Sequence, residues 1–158
     1  MIVSNTSPLL ALDRIGRLHL LPELWGRVTR PQSVLDEIVA GKGRYGASPQ
    51  LLGADWLETL PDPGEAGYRP ELGAGETAAI ALALDRQATL VLLDDLAARN
   101  VAAELGLSMS GTLGVLLAAT RKGLLDDIEP ALKDLMDAGF HMSEELLQIV
   151  RTQARDST

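Results

Sequence analysis

The segment Thr89-Leu90-Val91-Leu92-Leu93 is apolar at almost every position, and Asp94-Asp95 follow it at once. A strand without a polar face has to be covered on both sides, which is the situation of a central strand in a parallel sheet. Shorter runs of the same kind are Ile2-Val3-Ser4, Val28-Thr29, Trp56–Leu60 and Leu107-Ser108-Met109. Between them lie stretches with helical periodicity. Ser7 reads as a helix cap with Pro8 in the first turn, ahead of Leu9, Leu10, Leu12 and Ile15. Leu18–Trp25 is a second helical piece, and Val34, Leu35, Ile38 and Val39 recur at helical spacing up to Gly41. Gly75–Gln87, Leu96–Leu105, Leu113–Arg121, Asp127–Ala138 and Ser143–Ala154 complete the set, with Thr112 read as a cap. Strands alternating with helices predict an α/β fold, a parallel sheet of four to five strands with helices on both faces.

The chain has 158 residues and is expected to form one domain over 1–158. It has no cysteine, so disulfide scaffolds, thiol nucleophiles and zinc-thiolate sites are excluded. His19 and His141 are its only histidines, and both read as structural, His19 packed beside a short helix and His141 in a turn. A net charge of −8 argues against indiscriminate coating of DNA, and 3% aromatics argue against an extended base-stacking platform. The charge is uneven. Residues 1–60 hold six basic and six acidic side chains, and the remainder carries the whole excess. If the protein meets phosphate, the early cations Arg14, Arg30, Lys42 and Arg44 are where to look; solvated surface charge is the bland alternative. Residues 41–49 and 61–73 read as loops, the second a lid or subunit contact. The opening MIVSNTSPLL has no signal-peptide pattern, and no apolar run is long enough to cross a membrane, so a cytoplasmic location is expected.

Parallel strands place every strand-to-helix turn at one sheet edge, where open α/β sheets bind ligands. Asn5 follows the first strand, and Asp94 and Asp95 follow the central one. Glu76 lies in the first turn of the helix leading into that strand, and Glu37 near the end of the helix after Pro31. Convergence of these residues would make an acidic cleft suited to Mg²⁺ or Mn²⁺, which neutralises a phosphodiester and activates water. Each residue also has a local alternative. Asp94 or Asp95 could cap the next helix, Glu76 could answer a helix dipole, Glu37 could be a solvated face, and Asn5 and Ser7 could be plain caps.

The ordered set SNTSPLLAL (4–12), PQSVLDEI (31–38), GAGETAAIALAL (73–84), LVLLDDLAAR (90–99) and GTLGVLL (111–117) resembles the PIN-domain superfamily. More narrowly it is similar to a bacterial and archaeal subfamily related to VapC-type toxins, whose tail LMDAGFHMSEELLQIV (135–150) also resembles. The resemblance implies a three-layer α/β/α fold and a Mg²⁺- or Mn²⁺-dependent ribonuclease, with the acidic positions falling on Glu37, Glu76 and Asp94 and with Asp95 assisting. The first acidic position falls on Asn5, which offers a neutral oxygen and no base. The expected function is therefore an endoribonuclease, the toxin of a toxin–antitoxin pair. Its alternative is a catalytically impaired PIN-like module that binds RNA or a protein partner. A homodimer is also implied, with the apolar residues Leu146, Leu147, Ile149 and Val150 of the last helix either at that interface or in the core.

Overall fold

A computed structural model describes residues 1–41, 46–64 and 71–156. Lys42 and Arg44, and positions 65–70 of the second loop, lie outside the described residues. The strands are β1 (Ile2–Ser4), β2 (Val28–Pro31), β3 (Leu57–Leu60), β4 (Leu90–Leu92) and β5 (Met109–Ser110). They form one sheet in the order β3-β2-β1-β4-β5, and every pairing is parallel. The helices among the described residues are α1 (Thr6–Arg14), α2 (Leu20–Trp25), α3 (Gln32–Val39), α4 (Pro49–Leu52), α5 (Ala74–Asp85), α6 (Leu96–Glu104), α7 (Thr112–Arg121), α8 (Glu129–Asp137) and α9 (Glu144–Arg155). The three-layer α/β/α expectation holds, with five strands.

Strand alternation divides the core in two. Ile2, Val28, Leu57 and Leu92 point to one face, where they pack with Leu9 and Leu12 of α1, Leu20, Leu21 and Leu24 of α2, and Val115 and Leu116 of α7. Val3, Val91 and Leu93 point to the other, against Ala79, Ile80, Leu82 and Ala83 of α5 and Ala98, Val101 and Ala102 of α6. Val3, Leu92 and Leu93 have no exposed surface and Val91 has 1%, as the all-apolar β4 run required. The alanines of α5 and α6 let these helices lie close to the sheet and to each other.

Two capping expectations are corrected. Ser7 does not cap α1; the helix begins two residues earlier, at Thr6, and Asn5 occupies the N-cap site without any side-chain cap hydrogen bond. Thr112 does not cap α7 either. Gly111 holds that position in an extended conformation, and Thr112 is the first helical residue. His19 is exposed rather than packed, and it forms an i,i+4 pair with Glu23 at 3.2 Å. The final helix divides: Leu147, Val150 and Ala154 are buried in the core, while Leu146 and Ile149 are exposed.

Candidate functional site

The parallel register brings the ends of β1 and β4 side by side, and the Asn5 N–H donates to the Leu92 carbonyl at 3.1 Å, carrying the ladder one residue past the strand. Asn5 then enters α1, and its side chain is left free of the capping role its residue type favours. α3 runs off the end of β2 and packs on the N-terminal part of α5, which brings Glu37 to Gly75.

Glu37 is held from two sides. Thr6 Oγ1 donates to Glu37 Oε2 at 2.5 Å, and the Gly75 N–H donates to Glu37 Oε1 at 3.1 Å. Gly75 allows this approach only because it has no side chain. A Cβ there would stand 2.6 Å from Glu37 Oε2 and 3.0 Å from Asn5 Oδ1. Two oxygens on separate elements therefore converge on one point. Asn5 is 3% exposed, and its Oδ1 has no hydrogen-bond partner among the described residues. A buried acceptor without a donor is costly and marks a place where a cation or a donor belongs.

Glu76, the third helical residue of α5, folds back over the N-cap Gly73, whose Cβ would meet Glu76 Oε2 at 2.5 Å. Its local reading is thus also true, since a carboxylate is favoured at a helix N-terminus. Asn5, Glu37 and Glu76 line one cleft of about 400 Å³, together with Thr6, Ser7, Leu10 and Arg14.

Asp94 sits beside this cleft rather than in its wall. Its Oδ1 accepts the Thr112 N–H at 2.7 Å, and its Oδ2 accepts Thr112 Oγ1 at 2.6 Å and Ser7 Oγ at 3.2 Å. Asp95 has separated from it. Its carboxylate caps α6 by accepting the Ala98 N–H at 3.0 Å, which is the local role the sequence allowed. Among the described residues no three histidine or acidic side chains are grouped to hold a metal ion. The four-carboxylate cage expected from Glu37, Glu76, Asp94 and Asp95 is therefore not assembled; the carboxylates converging in the cleft are Glu37 and Glu76, with the amide oxygen of Asn5.

That smaller set still fits Mg²⁺ or Mn²⁺. It is made of hard oxygen donors, and Mg²⁺ commonly uses one or two carboxylates with the remaining positions left to water and phosphate oxygens. Asn5 Oδ1 supplies the independent sign, an acceptor in the wall of the cleft that no donor among the described residues satisfies.

The early cations separate. Arg14 is exposed and lines the cleft. Arg30 is not a surface cation: it is 6% exposed, its Nε donates to Thr59 Oγ1 at 3.0 Å, and its Nη1 has no acceptor. The strand alternation that buries Ile2 and Val28 turns Arg30 to the same face, which sequence spacing alone did not reveal. Burial pushes its guanidinium below the usual arginine range. Replacing it should therefore be tolerated. Arg30→Met is expected to leave stability unchanged or raise it by about 1 kcal/mol in urea denaturation. A loss above about 2 kcal/mol would show that the guanidinium is satisfied after all.

What the positions Thr6, Ser7 and Gly75 contribute was not visible beforehand. Ser7 reads only as a helix cap and Thr6 has no role of its own in the sequence, and the signal that could have raised Gly75 is a glycine in the first turn of a helix, where alanine is favoured.

A sequence model of the PIN domain matches residues 1–156. No curated protein and no solved structure matches the chain. No helix among the described residues is long and apolar enough to cross a membrane.

Proposed function

The chain belongs to the PIN-domain family, whose character is that of nucleases using divalent metals, and on that premise we propose that it is a Mg²⁺- or Mn²⁺-dependent endoribonuclease. The observation that carries this reading is the convergence of the unpartnered Asn5 Oδ1 and Glu37 Oε2 at Gly75, with Glu76 in the same cleft. Glu37, Glu76 and Asn5 are the residues that would hold the ion. When bound, the ion supplies charge neutralisation at the phosphodiester and activation of the attacking water.

The chain's own residues supply position. Thr6 and the Gly75 N–H fix both oxygens of Glu37, so that carboxylate is preorganised and its orientation costs nothing at the moment of reaction. Asn5 Oδ1 offers a neutral acceptor that orients a donor without taking its proton. Ser7 joins the cleft to Asp94, and Asp94 locks α7 to α1. Arg14 on the cleft wall is assigned to the RNA backbone, and so are Lys42 and Arg44, which lie outside the described residues.

The test is cleavage of single-stranded RNA by the purified chain in Mg²⁺, in Mn²⁺ and in EDTA. Cleavage is expected with either ion and lost in EDTA, and Glu76→Gln should raise the Mn²⁺ concentration required by about tenfold. Absence of cleavage with any divalent ion overturns the nuclease reading. One specific observation favours the second reading, a module that binds RNA or a protein without cutting: Asn5 stands where a carboxylate would serve as base. RNA binding unchanged by EDTA, without product, would establish it. For the nuclease reading, the biological setting we assign is the toxin of a toxin–antitoxin pair. A homodimer would bury the exposed Leu146 and Ile149 of α9.

A further inference from the structure

Resting on the reading of the cleft as a site for RNA, we infer that its apolar wall is a base subsite, in which Phe140, with Leu10, receives one unpaired base beside a phosphate that an ion at Asn5, Glu37 and Glu76 would hold. The cleft has two chemically different ends. One is the oxygen cluster of Asn5, Glu37 and Glu76; the other is built from Leu10 and Ala11 of α1 and from Leu135, Ala138 and Phe140 at the end of α8.

The second end is a fixed surface. α8 closes with Gly139 at φ +94°, a left-handed conformation that suits glycine. The Phe140 N–H then donates back to the Leu135 carbonyl at 2.9 Å and the Gly139 N–H to the Met136 carbonyl at 3.0 Å. This is a Schellman closure, and it sets the half-buried Phe140 in the cleft wall beside Leu135, which is itself buried.

Size and chemistry select the occupant. About 400 Å³ lies near the lower end of pockets that hold small organic groups, room for a nucleotide unit and not for a paired helix. A phosphate alone would leave the apolar wall uncovered. A purely apolar side chain would leave Asn5 Oδ1 without a donor. One nucleotide of a single strand brings a phosphate for the oxygen-bound ion, hydroxyl donors on its ribose and a base with an apolar face. Unpaired bases are commonly recognised by stacking on a single aromatic ring. Phe140 is the only phenylalanine in the chain, so the low aromatic content that excludes a multi-base platform is compatible with a pocket for one base.

The test is an abasic scan. The full-length chain is titrated against a fluorescent single-stranded RNA, and against versions in which one base at a time is removed while the ribose and phosphate stay. Affinity is read by anisotropy in Ca²⁺, a hard ion that takes the same kind of oxygen ligands, with the RNA checked on a gel so that binding is read on uncut strands. Loss of the base at one position, next to the cut where cleavage occurs, should weaken binding by roughly tenfold. Phe140→Leu keeps the contact with Leu135 and removes the ring; it should weaken the intact RNA by a similar factor and make that abasic position neutral. Phe140→Tyr should keep the sensitivity, and the scan with the unaltered protein reads the subsite even if the leucine variant does not fold. A flat scan on RNA that does bind overturns the base subsite and leaves the RNA reading intact. Equal weakening of intact and abasic RNA by Phe140→Leu also overturns it, because the ring would then act on the fold alone. No affinity for any of the RNAs overturns the underlying RNA reading, and the subsite with it.

Discussion

Gly75→Ala is expected to lower RNA cleavage by at least about 100-fold while moving stability by no more than about 1 kcal/mol. The added methyl would stand 2.6 Å from Glu37 Oε2 and 3.0 Å from both Glu37 Cδ and Asn5 Oδ1. These are side-chain atoms, so the fold can absorb the change by displacing them. Alanine also favours a helix over glycine by an amount comparable to the strain, which is why the net stability effect is small. The site cannot absorb it. Glu37 would have to leave the Gly75 N–H, and the two oxygens that share the space at Gly75 would separate. Thermal melting, metal titration and cleavage rate measured on one preparation separate these effects. Gly64→Ala is the control, because a Cβ at Gly64 meets nothing within 4 Å. A Gly75→Ala protein that melts normally and cleaves normally would show that the convergence of Asn5 and Glu37 is unrelated to activity.

The fold was legible where the signal was redundant. The β4 run is apolar on both faces, and such a strand can sit only between two helical layers; the same pattern, shorter, located β1 and β2. The edge strands were harder. β5 is two residues long, Met109–Ser110, and was read one to two residues early because Leu107 is apolar while Ser110 is not. Its place is set by its ladder, Leu92 pairing with Ser110, which is tertiary information.

The site was legible by region and not by role. The sheet edge, Asn5, Glu37 and Glu76 were all anticipated there. The sequence could not separate the adjacent pair Asp94-Asp95, since each aspartate is equally able to cap a helix or bind a ligand. The structure separates them by direction: Asp95 turns onto the α6 backbone and Asp94 onto Thr112. Arg30 was misjudged because strand length was underestimated. Once β2 extends to Pro31, alternation turns Arg30 inward. Capping preference failed at Asn5 and at Thr112 for one reason. Neither side chain bonds its own helix: Asn5 Oδ1 lies near Gly75 and the Thr112 hydroxyl bonds Asp94, so placement at the sheet edge prevailed over local propensity.

Those contacts at Asp94 give the second large effect. Asp94→Ala is expected to cost about 3 kcal/mol of stability by urea denaturation. Thr112 has no exposed surface, and its N–H and hydroxyl both donate to the Asp94 carboxylate. Removing the acceptor leaves two buried donors at the start of α7 unsatisfied, each costing about 1–3 kcal/mol, part of which water entering the gap recovers. Asp94→Asn is milder, since its amide oxygen can still accept the Thr112 N–H while its NH₂ group can donate to the Thr112 hydroxyl oxygen. A double-mutant cycle with Thr112→Val isolates the pair: if the carboxylate acts chiefly by holding Thr112, the combined loss should fall well short of the sum of the single losses. The same variants measure catalysis against structure. A carboxylate that only positions the end of β4 and α7 should lower cleavage through protein folded in the assay, and Mn²⁺ affinity of the folded fraction should stay within about twofold. A carboxylate that also serves the ion would lose Mn²⁺ affinity by about tenfold or more in Asp94→Asn, at a temperature where that variant is fully folded. Additive stabilities in the cycle, with unchanged melting of Asp94→Ala, would remove the structural role. The Ser7 contact then becomes informative, because Ser7 lines the cleft and is the direct bridge from Asp94 to it. If Asp94 acts on cleavage through that bridge, Ser7→Ala should reproduce the activity loss of Asp94→Asn without its loss of stability.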